Sequence, residues 1–314
     1  MSHTNTHRRR SHVAAKNTTH KAAPFIFSSK SVPCERHPER NEDRILMHPQ
    51  SGIAAVFDGV GGSAAGEIAS STAARSAIEG WKQQLQHIHE HNHQSAPGFL
   101  EDCGKVDLCA ILEKLIAEAD EQVRTSGAQQ AGTDDLATTV AMAALCRHVG
   151  KNNYTLVYAH VGDSRVYLLR GQEPLQRLTS DDGLLAKLVE NQLMDEGQAQ
   201  KIDQAMRAEE LSDVEYNYFR LRGGITQALG GPHPPTIHVD TTEISAGDRI
   251  LLCTDGIHDN LTDEEIEHIL RASPRNSAAR ALVDNSVLRS HEERPLTIRA
   301  KPDDMSAIVL TCRY

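Results

Sequence analysis

Five times between residues 42 and 304 the chain places carboxylates at the mouth of an apolar, strand-like run. The stretches are "RNEDR" with Glu42 and Asp43, "VFDGVGG" with Asp58, "AHVGDSR" with Asp163, "LLCTDGIHD" with Asp255 and Asp259, and "KPDDMS" with Asp303 and Asp304. A buried or half-buried carboxylate is costly unless something positive offsets it. A fold that gathers these strand ends therefore needs cations where they meet, and divalent cations offset several carboxylates at once.

Hard oxygen donors select Mg2+ or Mn2+ over zinc or copper. Two such ions about 4 Å apart share a bridging water, lower its pKa and aim it at phosphorus. The glycines after Asp58 let a backbone carbonyl approach an ion as well, because no Cβ intervenes. Asp58 then suits the position between the two ions. Taken singly, each Asp-Gly pair reads as a turn between strands; the ordered set reads as a metal site.

Apolar periodicity supplies the elements between these turns. "GIAAVFDG" (52–59) predicts a buried strand and "SAAGEIASSTAARSAIEGW" (63–81) a helix, with Ala65, Ala69, Ala73 and Ala77 forming a small face for packing on a sheet. Residues 82–99 read as a helix end and loop, and 108–123 as a second helix. Strands follow at 137–145 and 154–171, the latter interrupted by a turn at Gly162 and Asp163. The segment 179–227 is polar and helical, too long for a simple loop, and reads as an excursion over one sheet edge. Its acidic part, Glu209 to Glu215, reads as a solvated face. Residues 248–270 return to strand, turn and helix, with Thr262 and Glu265 spaced as a capping box, and 302–312 form a last strand.

The formal net charge of -10 argues against broad nucleic-acid affinity, and no window approaches the roughly 20 apolar residues of a membrane span. The first 34 residues hold no acid but six Lys and Arg, from Arg8 to Lys30, so residues 1–30 are expected as a disordered basic tail and 31–314 as one domain. The six cysteines are irregularly spaced and expected as reduced thiols in a cytoplasmic protein. "HIHEHNH" (87–93) reads as an exposed polar helix end, and the single Trp81 as a core anchor.

From about Asn41 to Val309 the chain resembles the bacterial members of the PPM, or PP2C-like, family of metal-dependent protein serine/threonine phosphatases. The resemblance rests on "NED", "DGVGG", "GDSR", "TDG" and "DDMS" in the family's order, with "GTDDLATTV" (132–140) as a looser strand entry. It implies an α+β, four-layer αββα sandwich, with two facing, largely antiparallel sheets flanked by helices. It implies Asp58 as the ligand bridging two Mn2+ or Mg2+ ions, Asp255 and Asp303 on one ion, and the Gly59 carbonyl on the second. Glu42 and Asp43 act directly or through water, and Asp163 with Asp255 and Asp259 matches a third, weaker site. The implied activity is hydrolysis of phosphoserine and phosphothreonine by direct attack of a metal-bridging hydroxide. Phosphorylated proteins are then the substrates, with a cognate Ser/Thr kinase, no membrane span, and a monomeric state.

Three positions depart from the family pattern. Val60 stands where many members carry a histidine proposed to protonate the leaving oxygen. Asp304 replaces the usual Asn, and an extra charge there would raise a neighbouring carboxylate pKa or tighten metal binding. Pro38 holds the place of the phosphate-binding arginine, leaving Arg36 and Arg40 on either side as the residues able to reach phosphate. These departures motivate one alternative: a catalytically weak or inactive phosphatase-like module that binds phosphorylated partners. The intact set Asp58, Asp255 and Asp303 weighs against it.

Overall fold

A computed structural model describes residues 24–60, 64–92, 99–100, 104, 106–127, 136–147, 153–293 and 296–313. One sheet runs in the order β1 (Phe25–Val32), β12 (Met305–Cys312), β11 (Arg249–Cys253), β8 (Arg165–Leu169) and β9 (Gln176–Arg177). The other runs β10 (His238–Ile244), β7 (Tyr154–Val161), β6 (Val140–Arg147), β3 (Ile53–Phe57) and β2 (Arg44–His48). Every pairing within them is antiparallel. A short ribbon joins β4 (Gly59–Val60) to β5 (Ala137–Thr138).

The two-residue period of a strand decides which layer each side chain enters. In β12, Ile308, Leu310 and Cys312 enter the core between the sheets, while Met305, Ala307 and Val309 face the helices outside. β6 divides likewise: Ala141, Ala143 and Leu145 point between the sheets, and Val140, Met142, Ala144 and Cys146 point outward. The outer layers are α1 (Ala64–Asn92) with α2 (Leu108–Ser126) on one side, and α6 (Asp255–His258), α7 (Asp263–Ala272) and α8 (Ala278–Ser290) on the other. Ala69, Ala73 and Ala77 are fully buried, so the small face of α1 does lie on the sheet. The expected αββα sandwich is present.

The excursion holds α3 (Leu184–Glu190), α4 (Glu196–Gln204) and α5 (Asp213–Leu221), with its own small core of Met194, Ile202, Ala205 and Phe219. Two buried arginines fasten it. Arg165 pairs through Nη2 with Asp181 at 2.5 Å and with Asp203 at 3.0 Å. Arg299 donates to the carbonyl of Asp203 at 2.5 Å and to that of Leu261 at 3.2 Å.

Several expectations need correction. Residues 25–30, assigned to the tail, form most of β1, because their backbone finds β12 from Phe25↔Cys312 to Val32↔Met305; residues 1–23 lie outside the described set. α1 runs to Asn92, so residues 87–92 are helical as expected, but His89 is buried rather than exposed, with its ring bonded to the Leu85 carbonyl. Glu215 is buried rather than solvated, forming a capping box with Ser212. Cys34, Cys109, Cys253 and Cys312 are free, but Cys146 is disulfide-bonded, against the expectation of six reduced thiols. Strand β10 and helix α8 were not foreseen, and β2 was anticipated only as the apolar run beside "RNEDR". Trp81 is the expected core anchor, fully buried with its indole N–H donating to Ser51.

Candidate active site

Register brings the carboxylate-bearing turns to common sheet ends. Arg44, just after Glu42 and Asp43, pairs with Phe57, just before Asp58. Cys253 pairs with both Ala307 and Arg165, which aligns the turns of Asp255, Asp303 and Asp163. Backbone contact closes the gaps between them. A Cβ on Gly59 would lie 2.3 Å from the Gly66 carbonyl oxygen in α1 and 2.7 Å from that of Glu42. A Cβ on Gly256 would lie 2.0 Å from the carbonyl oxygen of Asp304. Both Asp-Gly glycines thus permit the strand ends to touch.

Threonines hold the acids from behind. The Thr138 hydroxyl and the Thr139 N–H both donate to the Asp58 carbonyl at 2.8 Å, and the Asp58 N–H donates to Thr139 Oγ1 at 3.3 Å. The Thr254 hydroxyl donates to Asp43 Oδ2 at 2.8 Å. Asp43 Oδ1 is buried without a partner, and no donor among the described residues reaches the Asp58 carboxylate.

The electrostatics record this crowding. Burial pushes the Asp58 carboxyl well above its ordinary value, and Asp255, Asp43, Asp303 and Asp163 push it further. Asp43 and Asp163 are raised in the same way, by burial first and then by neighbouring acids. Asp303 rises to about 7 through burial and Asp255, although Lys301 opposes the shift. Four carboxyls raised above their ordinary range and crowded against Asp255, with buried oxygens of Glu42 and Asp43 lacking a hydrogen bond among the described residues, fit a site built for divalent cations.

Not every expected ligand points inward alone. Glu42 Oε1 lies 3.2 Å from Arg40 Nε, so Arg40 reaches the rim of the cluster, whereas Arg36 is exposed. Asp259 is already paired, with Arg222 at 3.2 Å and with Lys301 at 2.7 Å. Asp304 turns to the backbone: Oδ1 accepts from the Cys34 N–H and Oδ2 from the Glu42 N–H, both at 2.6 Å. It thereby ties both ends of the loop that carries Arg36 and Arg40, and its charge also raises Glu42 and Asp43, after burial has done so. Gly61, Gly62 and residues 132–135 of the quoted motifs lie outside the described residues.

Sequence reasoning missed Lys301, whose Nζ sits 2.6 Å from Asp255, 2.7 Å from Asp259 and 3.1 Å from Asp303. Its place two residues before Asp303 was the available signal. Missed too was Asn260, fully buried and bonded to the carbonyls of Gly256 and Lys301. A cavity of about 560 Å³ opens beside Asp163 and Asp259, walled by Arg165, Arg177 and Arg222 and by α3 and α4 of the excursion.

Comparison with known proteins gives concordant results. The family model described as Protein phosphatase 2C matches residues 34–290. The serine/threonine protein phosphatase PstP of Mycobacterium tuberculosis is 29% identical over 244 residues, 78% of this chain but only 38% of that protein. The serine/threonine phosphatase stp of Listeria innocua is 23% identical over 236 residues, 75% of this chain and 78% of that protein. A crystal structure of the catalytic domain of serine threonine protein phosphatase PstP, in complex with 2 manganese ions, superposes with a TM-score of 0.62 at 25% identity, covering 92% of this chain and 99% of that one. The chain thus spans well under half of the full mycobacterial relative.

Proposed function

The chain belongs to the protein phosphatase 2C family, and on that premise we propose that it hydrolyses phosphoserine and phosphothreonine monoesters of proteins with two Mn2+ or Mg2+ ions. The observation that carries the reading is Asp58, ringed by Asp43, Asp163, Asp255 and Asp303 and given no donor among the described residues. Asp58 would bridge the two ions, with Asp255 and Asp303 on one, and the Gly59 carbonyl, Glu42 and Asp43 on the other. The 2 manganese ions of the PstP catalytic domain support that count. When bound, the ions would supply a water of lowered pKa as the nucleophile.

The chain's own groups then orient and exclude. Thr138 and Thr139 fix the backbone of Asp58, and Thr254 fixes the carboxylate of Asp43. Arg40, paired with Glu42 at the rim, would receive the phosphoryl group, and exposed Arg36 would be the other arginine able to reach it. Asp304 keeps both arginines on a loop tied at its two ends. Val60 offers no proton, so the leaving oxygen would take its proton from water or another group. The excursion would contribute to the choice of phosphoprotein.

The proposal extends to a cognate Ser/Thr kinase, a monomeric state and a cytoplasmic setting. No helix among the described residues is long and apolar enough to cross a membrane. The test is hydrolysis of para-nitrophenyl phosphate and a phosphothreonine peptide with Mn2+, Mg2+ or EDTA, beside Asp58→Asn. Metal-dependent turnover that falls by roughly two to three orders of magnitude in the folded variant is expected. Full activity of Asp58→Asn, or no activity of the folded native chain with either metal, would sink the proposal.

A further inference from the structure

Lys301 stands among the carboxylates because the fold fixes its backbone on both sides. Its N–H donates to Asn260 Oδ1 at 3.0 Å, and its carbonyl accepts from Asn260 Nδ2 at 2.8 Å. Pro302 follows and confines Lys301 to extended backbone. So held, the ammonium contacts one oxygen each of Asp255, Asp259 and Asp303, at 2.6, 2.7 and 3.1 Å. These acids come from the end of β11, the end of α6 and the approach to β12.

A divalent ion binding those same three oxygens would sit about 2.0–2.2 Å from each. The ammonium already fills that space, and like charges so close repel. On the other side of the cluster the situation is reversed. No cation among the described residues pairs with Asp43 or Asp58, and Asp43 Oδ1 is buried without a hydrogen bond of normal geometry from them. Arg222 supplies the second cation on Asp259 and leaves that carboxylate little left to offer an ion.

We propose that Lys301 is a built-in cation of the metal centre, which holds Asp255, Asp259 and Asp303 in place and limits the centre to two exchangeable divalent ions. The inference rests on the two-metal reading above. It leaves Asp58 and Asp43, with the remaining oxygens of Asp255 and Asp303, to ions from solution, and gives the space between Asp255 and Asp259 to the ammonium. Removing the charge opens that space, with Asp163 nearby, to a third ion.

The experiment counts Mn2+ bound to the full chain after EDTA stripping, by equilibrium dialysis with metal analysis, for the native protein, Lys301→Gln and Lys301→Met. Two ions for the native chain and three for a folded variant are expected. Lys301→Gln keeps polar contact with the acids, so it guards against a misfolded Lys301→Met. Three ions in the native chain would overturn the inference without any variant, as would two in both native and variant. Fewer than two in the native chain would overturn the two-metal reading itself, and the inference with it.

Discussion

A methyl group at position 256 would stand 2.0 Å from the carbonyl oxygen of Asp304, a backbone atom that cannot rotate away. Gly256 lies in α6, where replacing glycine by alanine in an ordinary helix gains about 1 kcal/mol. Overpacking against fixed backbone costs about 1–3 kcal/mol and at times more, so the clash wins. Gly256→Ala is expected to lose about 2 kcal/mol in urea unfolding and to weaken Mn2+ binding, since the clash parts Asp255 from Asp303. Unchanged Mn2+ affinity would mean that this contact does not set the site. At this scale the acids were legible, because a carboxylate after an apolar run is costly wherever it occurs. The glycine was legible only as a turn residue, since what its missing Cβ avoids lies 48 residues away in sequence. Asp304 was expected to act through its charge, yet its main bonds are to the amides of Cys34 and Glu42, a pairing of distant segments.

The excursion of α3, α4 and α5 is held by charge as much as by its small core. Burial opposes ionisation of Asp203, but Arg165, Arg299 and Arg177 outweigh it and hold the carboxyl well below its usual range. Asp181, facing Arg165 and Arg177, is lowered in the same way. A carboxyl whose folded pKa lies below its unfolded value of about 4 contributes stability above that pH, and loses it as pH falls further. Stability is therefore expected to drop steeply below about pH 4, with a flatter acid limb in Asp203→Asn. At pH 7 that variant should lose about 3–5 kcal/mol, the scale of breaking one partner of a buried ion pair. Equal acid slopes in circular-dichroism titrations of the two proteins would refute this. The helical character of the excursion was readable from polarity and period. Its fastening was not, because the Arg of "GDSR" reads as part of the acid motif until Asp181 and Asp203 are seen around it. The Ser212–Glu215 capping box was present in the sequence and passed over as an acidic run.

Across the whole molecule, β1 closes the sheet edge beside β12 and buries Phe25 between the sheets. Ser28 also accepts a hydrogen bond from the Ala279 N–H at the start of α8. Burying Phe25 alone is worth about 2 kcal/mol, or several degrees in Tm for a domain of this size. A chain lacking residues 1–32 should therefore melt at least several degrees below one lacking residues 1–23, as differential scanning calorimetry would show; equal Tm values would place β1 outside the cooperative unit. The sequence by itself determined the strand ends, the acids on them and the oxygen-rich chemistry they demand, because burial cost and side-chain period act within a few residues. The polar "FSSKS" of β1 carries no such local signature, and its place comes from hydrogen bonds to a strand 280 residues later. Only the tertiary structure decided which acids Lys301 contacts and which stand without a cation among the described residues. That choice depends on distances between strand ends, and the position of Lys301 depends on a clamp by Asn260 that no local pattern encodes.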